Sequence, residues 1–169
     1  MTQASRISLA VVAMLALIAA PAFAAKPVFN TQLSGQDQVP SRETQAKGQA
    51  WFKLSNDGLS LDYRINVSNI ENVIAVRLGN AAAGATGPDV AVLYGPVAAG
   101  GGKVTGVLTK GTLTATDLVG TMAGKTIADL IVEIEAGRIY VTVLTDDGAG
   151  GTDERPGDFS SGEIRGQLK

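Results

Sequence analysis

Gly48-Gln49-Ala50-Trp51-Phe52-Lys53-Leu54-Ser55 runs into Asn56-Asp57-Gly58 and returns as Leu59-Ser60-Leu61-Asp62-Tyr63-Arg64-Ile65-Asn66-Val67, and this stretch decides the fold. On the return leg Leu59, Leu61, Tyr63, Ile65 and Val67 alternate with Ser60, Asp62, Arg64 and Asn66. That period of two is the pattern of a strand with one face in a core and one in water. On the outgoing leg Ala50, Phe52 and Leu54 share one face, Trp51 and Lys53 the other. Between the legs, Asp57-Gly58 tolerates the positive φ of a tight turn, so an antiparallel hairpin is predicted.

The same reading extends in both directions. Residues 29–33 form a first strand, and the apolar runs 73–78, 90–94, 104–113, 139–144 and 164–168 supply the others, with glycine falling mainly between them. Gly111 is expected to mark a bend or bulge in its run. One helix interrupts the β pattern. Thr126 is its expected N-cap with Asp129 three residues on, Ile127, Leu130, Ile131 and Ile134 line one face, and Gly137 ends it. Short strands with one late helix predict an all-β fold, an antiparallel Greek-key-like sandwich or flattened barrel with the helix covering one end.

Residues 1–24 read as a secretory signal peptide: Arg6, an apolar run over residues 9–20, and an Ala22-Phe23-Ala24 cleavage box. The apolar run is shorter than the roughly 20 residues that span a bilayer, so export with cleavage after Ala24 is expected, to the periplasm or beyond the cell. Residues 25–169 then form one domain, large enough for a core without a disulfide or metal. Removing Arg6 takes the formal charge from −2 to −3, spread along the chain rather than gathered in a basic stripe, and a nucleic-acid partner is not expected. The chain contains no His and no Cys, which removes the commonest nitrogen and sulfur metal ligands, the usual general base and the thiol nucleophile.

Three stretches in order carry a family resemblance. Leu33-Ser34-Gly35-Gln36-Asp37-Gln38-Val39-Pro40 opens it, and residues 75–93 continue it through Gly84, Gly87 and Pro88. Residues 140–145, a glycine-rich acidic loop and Ser161-Gly162-Glu163-Ile164-Arg165-Gly166-Gln167-Leu168 close it. Together they resemble the CHRD (chordin) domain. Aligned on Gly87-Pro88, the two histidines of the family's middle motif fall on Arg77 and Gly79, and Leu144 stands at the histidine of the penultimate strand. The resemblance implies the fold and an extracellular binding style. It does not bring a transition-metal site with it, because a cation, a glycine and a hydrocarbon occupy the imidazole positions, and no cofactor is expected.

Candidate sites follow from charge and position. Arg77, beside the glycine-rich turn, can hold an anionic ligand near backbone N–H groups, or can simply pair with Asp89. Asp146, Asp147, Asp153, Glu154 and Asp158 gather carboxylates in one loop, and calcium at Asp146, Asp147 and Asp153 is conceivable through oxygen ligands, although EF-hand spacing is lacking. Gly84, Gly87 and Pro88, and Gly162, Glu163, Arg165 and Gly166, are read as architectural, with Glu163 and Arg165 on one strand face making a cross-strand ion pair. Asn66-Val67-Ser68 matches a glycosylation acceptor. The function expected is a non-enzymatic exported module binding an extracytoplasmic protein or glycan, ligand unspecified. The alternatives are a protein or enzyme using oxygen-ligated metal, calcium for instance, and a self-assembling envelope protein.

Overall fold

A computed structural model describes residues 27–150 and 155–169. The leader, its cleavage site, Asp153 and Glu154 lie outside the described residues. The predicted hairpin forms between β2 (Lys47–Leu54) and β3 (Ser60–Glu71), with β1 (Val28–Ser34) on the other side of β2. Register places Thr31 opposite Ala50 and Ala50 opposite Ile65. Ala50, Phe52, Leu61 and Ile65 are fully buried, and Trp51 faces outward, as alternation requires. Leu59 departs from its predicted face: it is 70% exposed, because its N–H is taken by the Asp57 carboxylate at 3.0 Å and the strand starts at Ser60.

The remaining elements are β4 (Val73–Asn80), β5 (Asp89–Tyr94), β6 (Lys103–Thr114), α1 (Ile127–Glu135), β7 (Ile139–Thr145) and β8 (Ile164–Gln167). All eight strands join one antiparallel sheet in the order β5-β4-β7-β8-β1-β2-β3-β6. The sheet curls until its two edges meet. There the Leu93 carbonyl of β5 accepts hydrogen bonds from the Tyr63 hydroxyl at 2.9 Å and from the Thr109 hydroxyl of β6 at 3.3 Å. The result is a nearly closed barrel whose last seam is made by side chains.

Gly111 is not the predicted bulge. It stays in register opposite Tyr63, whose ring crowds the place of a Cβ, and the register shifts fall instead between Ile65–Thr109 and Asn66–Val107 and between Val67–Gly106 and Ile70–Val104. The helix behaves as predicted. Thr126 and Asp129 form a reciprocal capping box, and Ile127, Leu130 and Ile134 enter the core beside Phe52, Leu61, Ile65, Leu78 and Ile164. Every residue of β7 is buried, so its outward face is covered as well as its inward one. That cover comes from loops, and it shapes the site.

Candidate functional site

Tyr140, Thr142 and Leu144 alternate along the outward face of β7. Register sets Gly79 of β4 opposite Tyr140, Arg77 opposite Thr142 and Ala75 opposite Leu144. Gly79 has no Cβ, and one would overlap the Tyr140 ring, which lies flat across β4 for that reason. The Tyr140 hydroxyl is fixed at the other end, donating to the Gly87 carbonyl at 3.1 Å and accepting from the Gly87 N–H at 3.3 Å. From β8, the Arg165 guanidinium lies over the same ring, 3.5 Å from its centroid. These residues floor a groove with a cavity of about 170 Å³ that Gln38, Thr86, Ser161 and Leu144 also line. Gln38 is tied down by its amide, which donates to the Thr142 hydroxyl at 2.8 Å.

Charge in the groove is uneven. Arg77 pairs with Asp89 at 2.8 Å, with both side chains about one-third exposed, so the pairing read from the sequence is the one realised. Arg165 is only 2% exposed, and its Nη2 makes two long hydrogen bonds, 3.4 Å to the Ala82 carbonyl and 3.3 Å to Gln167 Oε1. Burial pulls its pKa down, opposed by the neighbouring Tyr140 and Asp37, yet a guanidinium remains protonated in any such setting.

The cross-strand ion pair predicted for Glu163 and Arg165 does not form. Glu163 precedes β8 and turns to Thr44, Thr145 and Gly157, accepting from both hydroxyls (2.8 Å from Thr145) and from the Gly157 N–H at 2.9 Å. Neither residue has an ion-pair partner among the described residues. The reason is that each charge has found neutral dipoles on different segments. In the acidic loop, Asp146, Asp147 and Asp158 bring carboxylate oxygens within 4.8 Å of one another. Arg155 already pairs with Asp147 and lies 3.8 Å from Asp158. The Asp147 carboxyl titrates low, chiefly through the Ala149 N–H it accepts and then through Arg155.

The glycines read as architectural sit where backbone crowds or turns. A Cβ on Gly87 would strike the Asn80 carbonyl, one on Gly162 the Gln38 amide, and one on Gly166 the Gln32 carbonyl. Gly84 has φ +79 in an open turn, and the Pro88 carbonyl accepts from the Asn80 N–H at 3.0 Å to close that loop. Asn66 of the glycosylation triplet lies within β3 opposite Gln49. Tyr140, Gln38 and Thr142 are not site residues by the sequence reading; the signals for them are the outward alternation of Tyr140, Thr142 and Leu144 and the place of Gln38 in the opening stretch.

The fold and groove define a class: an all-β barrel-like domain with a groove floored by Tyr140 and Arg165. The chain belongs to the CHRD domain family, whose sequence profile matches residues 29–152, more than half of its length. The match takes in the opening and middle stretches and β7, and stops short of the stretch from Ser161 to Leu168. No curated protein and no solved structure matches the chain.

Proposed function

We propose that this chain is an exported, non-enzymatic CHRD-type module that binds an extracytoplasmic protein or glycan through the groove floored by Tyr140 and Arg165. One observation supports this above the rest: Arg77, Gly79 and Leu144 gather on one outward face and give the groove a cation, a hydrogen and a hydrocarbon instead of a ligand set. With no imidazole or thiolate in the chain, these residues do not fit copper, zinc or iron, and the usual general base is missing. The groove's walls come from residues within segments 36–39, 83–87 and 160–161, loops carried by the sheet, which is a common arrangement for binding. Export rests on the leader pattern of residues 1–24. No helix among the described residues is long and apolar enough to cross a membrane. Calcium at Asp146, Asp147 and Asp153 is the rival reading. Arg155 already sits among the described carboxylates of that loop, so the groove is preferred.

The test is affinity capture from the native exported fraction with the immobilised full chain, beside Ser161→Trp at the groove rim and Trp51→Ala on the outer face of β2. Retention by wild type and Trp51→Ala, with loss in Ser161→Trp, is expected. Undiminished retention by Ser161→Trp would sink the assignment. Elemental analysis of the same material is expected to find no tightly held copper, zinc or iron.

A further inference from the structure

A guanidinium buried as deeply as that of Arg165 ordinarily sits against a carboxylate, because an unpaired charge inside a protein is costly. Arg165 has none in ion-pairing range among the described residues. One face of it is covered by the Tyr140 ring. Its Nη2 contacts are long, go to neutral oxygens, and use only part of a guanidinium's five donors. It also lines two adjoining cavities, of about 170 and 200 Å³. Asp37, across the second cavity, accepts from the Ser34 hydroxyl at 2.7 Å and lies beyond ion-pairing range of Arg165, acting on the guanidinium only from a distance.

We propose that Arg165 anchors a carboxylate-binding site, in which a ligand monocarboxylate supplies the direct ion-pair partner that no described residue supplies. This rests on the groove being the binding surface. The charge count favours a monoanion: among the lining residues Arg77, Arg165 and Asp89 leave the first cavity one positive charge, Arg42 at its rim and Asp37 across the second cavity offset each other, and a dianionic phosphate would overfill it beside Asp89. A planar carboxylate also suits the flat donor edge of a guanidinium. Two hydroxyls are turned to help. Ser161 accepts from Arg42 Nη2 at 2.9 Å and Thr142 accepts from Gln38 at 2.8 Å, which leaves both hydroxyl protons to donate to an anion in the cavity. Val39 and Leu144 add an apolar wall for a short aliphatic stem. The space is smaller than the roughly 300 Å³ at which drug-sized pockets begin, so the site takes an acid group and its first few carbons. A free aliphatic acid and the carboxyl terminus of a peptide both present that chemistry.

The test is an NMR titration of the full chain at neutral pH with butyrate, N-acetylalanine, butyramide and inorganic phosphate. Saturable shifts at Gly87, Thr142, Ser161 and Arg165 Nε are expected with the two carboxylates and not with butyramide. Tighter binding of butyrate marks a free acid as the natural form, and tighter binding of N-acetylalanine marks a peptide terminus. Arg165→Gln is expected to weaken binding roughly tenfold or more, the worth of a hydrogen bond to a charged group. Ser161→Ala, at an exposed position, is expected to weaken it severalfold, so the claim stays testable should Arg165→Gln not fold. The proposal is overturned by no saturable shift, by equal shifts from butyramide, by phosphate binding more tightly than both carboxylates, or by indifference to both substitutions. Capture lost in Ser161→Trp with no response to carboxylates keeps the groove and removes the ligand class. A carboxylate response with capture intact keeps the anchor and removes the groove as the partner's site.

Discussion

Glu163 and Arg165 stand two positions apart, both buried, and neither relieves the other. Glu163 is satisfied by hydroxyls of Thr44 and Thr145 and the Gly157 amide, which ties the approach to β2, the end of β7 and the terminal loop to one carboxylate. Glu163→Gln can keep an oxygen towards Thr145 and Gly157 but turns an NH₂ group to the Thr44 hydroxyl and removes the charge on which three donors converge, and is expected to cost about 1–3 kcal/mol of stability. Chemical denaturation of the purified protein checks this, and an unchanged midpoint would mean that the carboxylate is not what holds these segments. Strand alternation puts both on one face and suggests a cross-strand ion pair. What decides it is Thr44, 119 residues away in sequence, and no local pattern reports that. Arg165 shows the complementary case, since its place over Tyr140 depends on Gly79 in another strand having no side chain.

Elements were far more legible than their partners. The apolar alternation of β3 and the cap of α1 are local signals, and both are realised, whereas Gly111 was misread because its crowding comes from Tyr63 on a neighbouring strand. Leu61 and Ile164 are fully buried on inward strand faces. Leu61→Asp and Ile164→Asp should each destabilise the fold by about 4 kcal/mol or more, through burial of an unpaired charge. Thermal unfolding like that of wild type would show the faces to be wrongly assigned. At α1, the Asp129 carboxyl titrates low because it accepts the Thr126 N–H and then its hydroxyl. A carboxyl depressed on folding adds stability that is complete above its unfolded value, near 3.8, and is lost as pH falls through its lower folded value. Thr126→Ala removes the side-chain cap and is expected to cost about 1 kcal/mol at neutral pH. Its deficit against wild type should narrow in acid, below that window, and a deficit independent of pH would detach the cap from Asp129.

Across the whole molecule, the barrel closes through Tyr63 and Thr109 rather than a last backbone ladder, and the proposed binding surface lies on its loops. The all-β class could be read from the chain because its strands are short, apolar and punctuated by glycine. The strand order could not, since the chain passes from β3 directly into β4 at Asn72 and pairing changes there from β6 to β5 and β7. Asn72 holds that corner by accepting from the Gly102 N–H at 2.9 Å and donating to the Gly157 carbonyl at 3.2 Å, contacts with loops remote in sequence. The groove follows from the same topology, which sets β4, β7 and β8 side by side and drapes three loops over them. Hydrogen–deuterium exchange of the full chain, alone and with the partner retained from the exported fraction, tests this account most directly. Slowed exchange across residues 36–42, 80–88 and 160–162, with β6 and residues 146–150 unchanged, is the predicted result; slowing confined to β6 or the acidic loop, with the groove segments unaltered, would contradict it.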